Sequence, residues 1–446
     1  MKKLSIIMPS LNVAEYFDEC IMSAINQTLG DLEIICVDAG STDGTLEKIH
    51  GYVEQTYPGI TIKCLESDKR SYGYQVNLGL AAAEGKYVAI LETDDYVEPS
   101  MYEELYMLAE SYTLDYVTAD FDRVVTMANG YVKRKTVAIF EEESPLYNNV
   151  RDFSENAYLY ANDLNIWKGI YRKSFLEEQD IRFNESLGAA FQDIGFSEQV
   201  HACAKRGYYV NKSFYRYRCD RDGASVKSKK GLMYSYNEFY RLMNTEILWK
   251  KIKYKPGFYY HMGQSFVVEF CKILGMENYN FESEYIKPYV LWFVEKLNFA
   301  IEQGMFTEQL ASTDLVCKVK QIVDDIEAFI DSLRKSNFEK QIREDQIISC
   351  VDNVDNKEVI IFGAGVRGDY YIDLLLEKEV PIVAISDNKV ALWGTKKYDI
   401  PVLSPMEAVQ LYKKSKKICF VVASKYYSEE IKEQLIKAGV EEKDIV

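Results

Sequence analysis

The sequence predicts an α/β protein: a parallel sheet covered by helices, then a helical stretch, then a second and smaller α/β module. Three observations carry this expectation. Over the first hundred residues, short Ile- and Val-rich runs alternate with segments of helical spacing. Residues 231–345 lose the strand-like runs and become helical and aromatic. Near residue 350 the strand–helix alternation returns. Strands and helices that alternate through short connections bury a parallel sheet between helical layers.

The elements follow in order. "LSIIMP" reads as a buried strand bounded by Pro9. "AEYFDECIMSAINQT" puts Phe17, Cys20, Ile21, Ala24 and Ile25 on one helical face. "LEIICVD" is a second strand, and "STDGTLEKIHGYVEQTY" a helix entered through Ser and Asp, which cap helices well. "ITIKCLES" is a third strand, "YQVNLGLAAAEG" a helix closed by Gly85, and "KYVAIL" a fourth strand. Further on, "LDYVTADFDRVV", "GYVKRKTVAIF" and "RGYYVNKSFYRYRCD" have strand character. "MYSYNEFYRLMNTEILWKKI" and "STDLVCKVKQIVDDIEAFIDSLRKS" are helical. "KEVIIFGAGVRGDYYIDLLLEK" is strand, glycine turn and helix, followed by the strands "VPIVAISDN" and "KICFVVAS". The expected domains are residues 1–230 (halves 1–110 and 111–230), 231–345 and 346–446.

Bulk properties narrow the function. The 446 residues are 48% hydrophobic and 27% charged, which suits a globular chain with an ample core. The net charge of -16 disfavours nucleic acid and anionic membrane as partners. Nine scattered cysteines with no CxxC pair disfavour a disulfide framework and suggest a cytoplasmic protein. Pro9, Ser10 and Asn12 interrupt the N-terminal apolar run, so no signal peptide is expected. No stretch approaches the ~18 apolar residues of a membrane span, so membrane contact would be peripheral, at the inner face. The three histidines sit in no motif, which leaves nucleophilic triads and zinc sites unsupported.

"AILETDDY" places Glu92, Asp94 and Asp95 at the end of an apolar run. Carboxylates this close repel and need an offset. By itself "TDD" is compatible with a solvated turn. Asp38, in "VDAGSTDGT", ends another strand, however, and ligands of open parallel sheets bind outside the carboxyl ends of strands. Together with the Pro9–Asn12 loop after the first strand, two acidic clusters can converge on one site.

The stretch "IIMPSLNVAEYFDECIMSAINQT…LEIICVDAGSTDGT…GYQVNLGLAAAEGKYVAILETDDY" resembles the nucleotide-binding half of family 2 glycosyltransferases, and the resemblance covers residues 4 to 228. It implies the GT-A fold and a nucleotide-sugar donor, typically linked to UDP. It also implies inversion at the anomeric carbon and a glycan or lipid-linked glycan acceptor, as in capsule or exopolysaccharide synthesis. Pro9, Ser10, Leu11, Asn12, Asp38, Ser41, Tyr74, Asn77 and Asp94 would bind the donor, with Asp38 on the base. Asp95, Asp94 and Glu92 would hold Mn²⁺ or Mg²⁺, hard cations that take carboxylate and phosphate oxygens. There are departures. Glu92 stands where Asp is frequent, Ala39 replaces a second Asp, and Val76 replaces an Arg before Asn77, leaving the nucleotide to Tyr72, Tyr74 or Gln75, or to another residue.

Sugar transfer needs a base for the acceptor hydroxyl. In "ESLGAAFQDIGFSEQVHACAKRG", Asp193 either caps a helix or is that base; it resembles the second member of the family's Glu-Asp pair, with Gln192 in place of Glu. Trp167 is an acceptor platform or core packing, and Gln192 is expected at the acceptor side with it. Arg218, in "FYRYRCDRDGASVKS", clamps the diphosphate or ends a solvated strand. Gly363, Gly365 and Gly368 with Asp387 form a glycine loop and an acid at the spacing of a second nucleotide site. With half of a full dinucleotide domain behind it, this Rossmann-like module either binds a nucleotide or serves structure and partner docking. Two other readings of the whole chain remain at this stage: a degenerate nucleotide-sugar-binding scaffold, and a sugar oxidoreductase working through the glycine loop. The helical segment 231–345 is equally compatible with a homo-oligomer interface or a part of the acceptor site.

Overall fold

The computed structural model describes residues 2–126, 132–219, 228–309, 312–352, 358–378, 380–415, 417–424 and 427–446. The chain divides into two compact units, Met1–Val124 with Lys135–Ile330, and Asp331–Val446 with Val125–Arg134.

The first unit begins with β1 (Lys2–Ser10), α1 (Ala14–Ile25), β2 (Leu32–Asp38), α2 (Thr45–Val53), β3 (Ile60–Glu66), α3 (Tyr72–Ala82) and β4 (Gly85–Ile90). β2 is buried along its whole length and β1 from Leu4 onward, as expected of strands sandwiched between helices. β1 pairs in parallel with β2 (Ser10 opposite Asp38) and with β4 (Ile7 opposite Ile90), so the carboxyl ends of all three strands share one edge. α1 buries Phe17, Cys20, Ile21 and Ala24, the face its spacing predicts. α3 stops earlier than the sequence suggests: Ala83 is already extended (φ -66°, ψ 133°) and Gly85 opens β4.

The chain continues through β5 (Tyr96–Val97), α4 (Met101–Tyr112), β6 (Tyr116–Thr126), β7 (Val132–Val137), α5 (Ala157–Asn162), β8 (Gly169–Arg172), α6 (Lys173–Glu178), α7 (Gln192–Cys203) and β9 (Gly207–Arg218). The sheet order is β3-β2-β1-β4-β8-β6-β9-β5, with β7 on β6. β8 runs antiparallel to β4 and β6, and β5 antiparallel to β9. The sheet is therefore mixed, and β5 carries the segment just after Asp95 onto the end of β9.

Helices α8 (Gly231–Asn244), α9 (Glu246–Lys251), α10 (Lys255–Met276), α11 (Lys287–Glu302) and α12 (Thr313–Asp324) belong to this same unit. α10 packs on α5 and α8, and α8 on α7, so the helical segment shares its apolar faces with the sheet domain. Buried His261 on α10 meets buried Glu198 on α7 at 2.6 Å. α13 (Ile326–Asp352) carries the division between units at residue 330.

The second unit holds β10 (Glu358–Phe362), α14 (Val366–Glu377), β11 (Ile382–Ser386), β12 (Lys396–Lys397), β13 (Ile400–Leu403), α15 (Pro405–Lys414), β14 (Ile418–Val422) and α16 (Ser428–Lys437). Its sheet order is β12-β13-β11-β10-β14, with β13, β11, β10 and β14 parallel, a small Rossmann-like arrangement. Among the described residues, no helix is long and apolar enough to cross a membrane.

Candidate functional site

The first unit's site is built where β1, β2 and β4 end. Ala39 N–H donates to the Ser10 carbonyl, Asn12 N–H to Ser41 Oγ at 3.0 Å, and Thr42 N–H to Asn12 Oδ1 at 2.8 Å. Ala14 N–H donates to Asp43 Oδ2 at 2.9 Å, and Val13 N–H to Thr45 Oγ1 at 2.9 Å. The loops after β1 and β2 are thus bolted together through Pro9–Asn12 and Ser41. Asp38 is 1% exposed; Oδ2 accepts the N–H groups of Gly40 and Ser41, and Oδ1 the Ser41 hydroxyl at 2.5 Å. Buried Gln75 reaches into the same corner and donates to the carbonyls of Ser10 and Val37. Val76 is fully buried, and the cation set against this loop is Arg70, whose Nη2 donates to the Gly40 carbonyl at 3.2 Å.

The carboxylate turn follows β4. Thr93 Oγ1 donates to the Pro9 carbonyl, tying the turn to the first loop. Buried Tyr215 accepts the Glu92 N–H and donates to Asp95 Oδ2 at 2.8 Å, while Arg218 N–H donates to Asp95 Oδ1 at 2.7 Å. Asp95 is 2% exposed, and burial, joined by the charges of Asp94 and Glu92, pushes its carboxyl well above the usual range against those two hydrogen bonds. Arg218 stays at this turn: Nε donates to the Asp94 carbonyl, and Nη2 pairs with Glu19 at 2.5 Å. Residues 220–227, the rest of the segment that resembles the family there, lie outside the described residues.

Asp193 occupies the first turn of α7. Phe191, just before the helix, holds φ +58°, a left-handed conformation that costs a non-glycine residue about 1–3 kcal/mol. Desolvation pushes the Asp193 carboxyl up to about 6; the Ile194 N–H opposes this, and the charge of Glu238 adds to it. Glu238 is fully buried on α8, where Asn184 and Arg241 hydrogen-bond its two oxygens. Tyr72 joins the two halves of the site. Its hydroxyl donates to Glu92 Oε1 at 2.5 Å, and its phenol is held well above the usual range by burial and by the charges of Glu92 and Asp193.

Other expected site residues have different surroundings. Trp167 is 7% exposed and stacks on Tyr215 (4.1 Å between centroids) and Tyr217 (5.2 Å), with Phe121 edge-on. An indole so enclosed packs beneath the carboxylate turn and offers no open platform to a sugar. Asn77 is a brace: its amide donates to the Phe183 carbonyl and to Glu185, and accepts the Phe183 N–H. Tyr74 lies under Lys69, whose Nζ is 4.0 Å from the ring centroid. Gln192, 1% exposed, is bonded to the loop 186–190. In the second unit, Gly363 takes φ +122°, and a Cβ on Gly368 would lie 2.0 Å from the Gly363 oxygen. Ala364 N–H already donates to Asp387 Oδ2 at 2.8 Å, and Lys397 donates to the Ala364 carbonyl, so the chain itself fills part of this glycine loop.

Sequence reading missed Tyr215, Arg70 and Glu238. Tyr215 left a signal: in "FYRYR" the period of two puts Tyr215 and Tyr217 on one face of a strand. Glu238 left none, because only the packing of α8 on α7 brings it near Asp193.

A mixed sheet with a loop pair at the ends of β1 and β2, a carboxylate turn after β4 and a helix-borne carboxyl of raised proton affinity defines a nucleotide-sugar glycosyltransferase of the GT-A fold. The comparisons agree. Residues 5–175, within the first unit, match the model of Glycosyl transferase family 2. Residues 354–446 match the model described as C2185-like, N-terminal. The chain is 27% identical over 261 residues to the uncharacterized glycosyltransferase EpsJ of Bacillus subtilis, covering 58% of this chain and 70% of that one. It is 30% identical over 222 residues to the cholesterol galactosyltransferase of Borreliella burgdorferi, covering 48% and 59%. The solved structure of residues 1–349 of Staphylococcus aureus TarS in complex with UDP-GlcNAc shares the fold, with a TM-score of 0.55, 17% identity, and 76% of this chain and 92% of that chain covered.

Proposed function

We propose that this protein transfers a sugar from a UDP-sugar to a hydroxyl of a glycan acceptor with inversion, in the building of a bacterial surface polysaccharide. The observation that supports this reading is Tyr72, which bonds the carboxylate Glu92 and lies in the field of Asp193, so that it links the expected donor end to the expected base. The Pro9–Asn12 loop, Asp38, Ser41 and Arg70 receive the nucleoside. Asp193 takes the acceptor proton as the acceptor oxygen attacks the anomeric carbon. The bond from that carbon to the diphosphate breaks, its electron pair leaves with UDP, and a single displacement inverts the centre.

Among the described residues, no three His, Cys, Asp or Glu side chains gather as a metal cage. The residues fit a divalent ion held by one or two carboxylates and completed by donor phosphate oxygens. Asp95 is buried beside Asp94, and burial and the neighbouring carboxylates hold its proton tightly, so a divalent ion completed by phosphate oxygens would offset charge there. Asp95 and Asp94 would hold Mn²⁺ or Mg²⁺, and Glu92, bonded to Tyr72, orients the turn. Such an ion, when bound, stabilises charge on the departing diphosphate.

The test is calorimetric titration of wild type and Asp95→Ala with UDP, GDP, CDP and NAD, each with and without Mn²⁺. The TarS structure holds UDP-GlcNAc, which makes UDP the first nucleotide to try. Cation-dependent UDP binding that Asp95→Ala loses supports the reading. NAD binding with no diphosphate binding sinks it.

A further inference from the structure

Gln192 stands beside the base where the resembling family carries a carboxylate, and its surroundings show what the amide does. Its Oε1 accepts the Ala190 N–H at 2.7 Å. Its Nε2 donates to the Ser186 carbonyl at 3.1 Å, to Ser186 Oγ at 3.0 Å and to the Gly188 carbonyl at 2.9 Å. Two of those three partners are carbonyl oxygens, which only a donor can satisfy. A glutamate here would keep the bond from Ala190 and set a carboxylate oxygen against both carbonyls, with 1% exposure to dilute the repulsion.

The loop that Gln192 holds is joined to the donor end. Gly188 N–H donates to the Arg70 carbonyl at 2.7 Å, and Tyr72 N–H donates to the Gly188 carbonyl at 3.1 Å. Ser71 and Gly188 thus form a parallel bridge between the start of α3 and the loop before the base. The Tyr72 hydroxyl then reaches Glu92. The Tyr72 ring meets Phe183 edge-on, and Phe183 stacks on Phe196 of α7 at 4.3 Å, so the same contact is made a second time through the core. Gly73 confirms how close the two segments run: a Cβ there would lie 1.8 Å from the Asn184 oxygen.

We propose that Gln192 is a positioning residue which, through Gly188 and Tyr72, fixes the Asp193 carboxyl relative to the Glu92–Asp95 turn, and that it can do so only as an amide. The proposal rests on the transferase reading above. It has a consequence contrary to simple resemblance: restoring the family's acid, Gln192→Glu, impairs this enzyme. Misplacing a reacting group by an ångström costs up to about a hundredfold in rate.

The experiment compares wild type, Gln192→Glu, Tyr72→Phe and the double variant in sugar transfer, UDP affinity, thermal unfolding and amide hydrogen exchange. The expected result is a kcat lowered by about tenfold or more in each single variant, with KM for the donor, UDP affinity and unfolding temperature near wild type. The double variant loses little more than either single one, because the two side chains act through one connection. Exchange protection of the Gly188 and Tyr72 amides, present in wild type, is lost in Gln192→Glu. A Gln192→Glu enzyme as fast as wild type overturns the proposal, as does a double variant whose losses multiply. If Gln192→Glu fails to fold, Tyr72→Phe decides: a lowered kcat at unchanged UDP affinity supports the connection, and an unchanged kcat overturns it. If wild type itself transfers no sugar, the transferase reading fails instead. Exchange at Gly188 and Tyr72 then judges the connection by itself, lost protection supporting it and unchanged protection overturning it.

Discussion

With Asp193 as the proposed base, the pH dependence of transfer is set by its carboxyl. Its carboxyl is pushed up to about 6 from the ordinary 3.8. A base works ionised, so the sign is fixed: activity rises with pH through the folded pKa and levels above it. At pH 5 the ionised fraction is about a tenth, so kcat/KM should be about a tenth of its plateau. A carboxylate at the unperturbed ~3.9 would leave the same rate nearly flat down to about pH 5. The groups set around Asp193 are Tyr72, which stays protonated, the Ile194 N–H and the buried Glu238 with its partner Arg241. Glu238→Gln removes the negative charge that raises the Asp193 pKa, so the acid limb should move to lower pH. Asp193→Asn should cost about 10²–10⁴ in turnover while UDP still binds. The assay is UDP release from the donor at constant ionic strength, with water as acceptor where no better one is known. A limb near about pH 4 would refute the assignment of the base. A limb that stays in place in Glu238→Gln would refute the part given to that charge.

Three further outcomes follow from the structure. Asp95→Ala should lose the cation-dependent part of UDP affinity, read by calorimetry with and without Mn²⁺; equal loss without the cation would contradict the metal role. Trp167→Ala should lower stability by about 3–5 kcal/mol in denaturant titration, as a buried aromatic does, and an acceptor KM that rises at unchanged stability would restore the platform role. Gly368→Ala forces a Cβ to within 2.0 Å of the Gly363 oxygen, so proteolysis should attack the second unit at a lower temperature than in wild type, and equal resistance would show that the loop can relax.

The parts legible in the sequence are those whose cause is local. β1, β2 and β4 were legible because both faces of these strands are buried, which writes them as continuous apolar runs. The Pro9–Asn12 loop, Asp38 and the Glu92–Asp95 turn each lie within a few residues of a strand end, so the rule for open parallel sheets could place them. The second half of the sheet was not legible in the same way. β8 is four residues long, too short for its period to show, and its antiparallel seat between β4 and β6 is fixed by pairing alone. The helical segment reads as a separate block because its spacing changes at residue 231, yet α8 and α10 bury their apolar faces against α7 and α5, and residues up to 330 fold with the sheet.

Residue identity and residue role came apart at three positions for one physical reason. Asn77, Gln192 and Trp167 all lie in segments that approach the site, but each is held by the protein itself: Asn77 by Phe183 and Glu185 and Trp167 by Tyr215 and Tyr217, all distant in sequence, and Gln192 by the backbone of its own preceding loop. An amide with two donors and an acceptor serves equally as a ligand contact or a brace. Which one it becomes depends on whether backbone groups with hydrogen-bonding capacity to spare lie within reach. The Ser186–Ala190 loop presents such groups beside the base, and Asn184, next to it, packs on Gly73 too closely for any side chain at that position. The Gly188 carbonyl, which takes the Tyr72 N–H, has a second lone pair, and the Ser186 carbonyl and the Ala190 N–H lie beside it. Gln192 is the side chain in position to satisfy them, which is why an amide instead of an acid beside the proposed base is better understood as a structural requirement of this loop than as decay of the site.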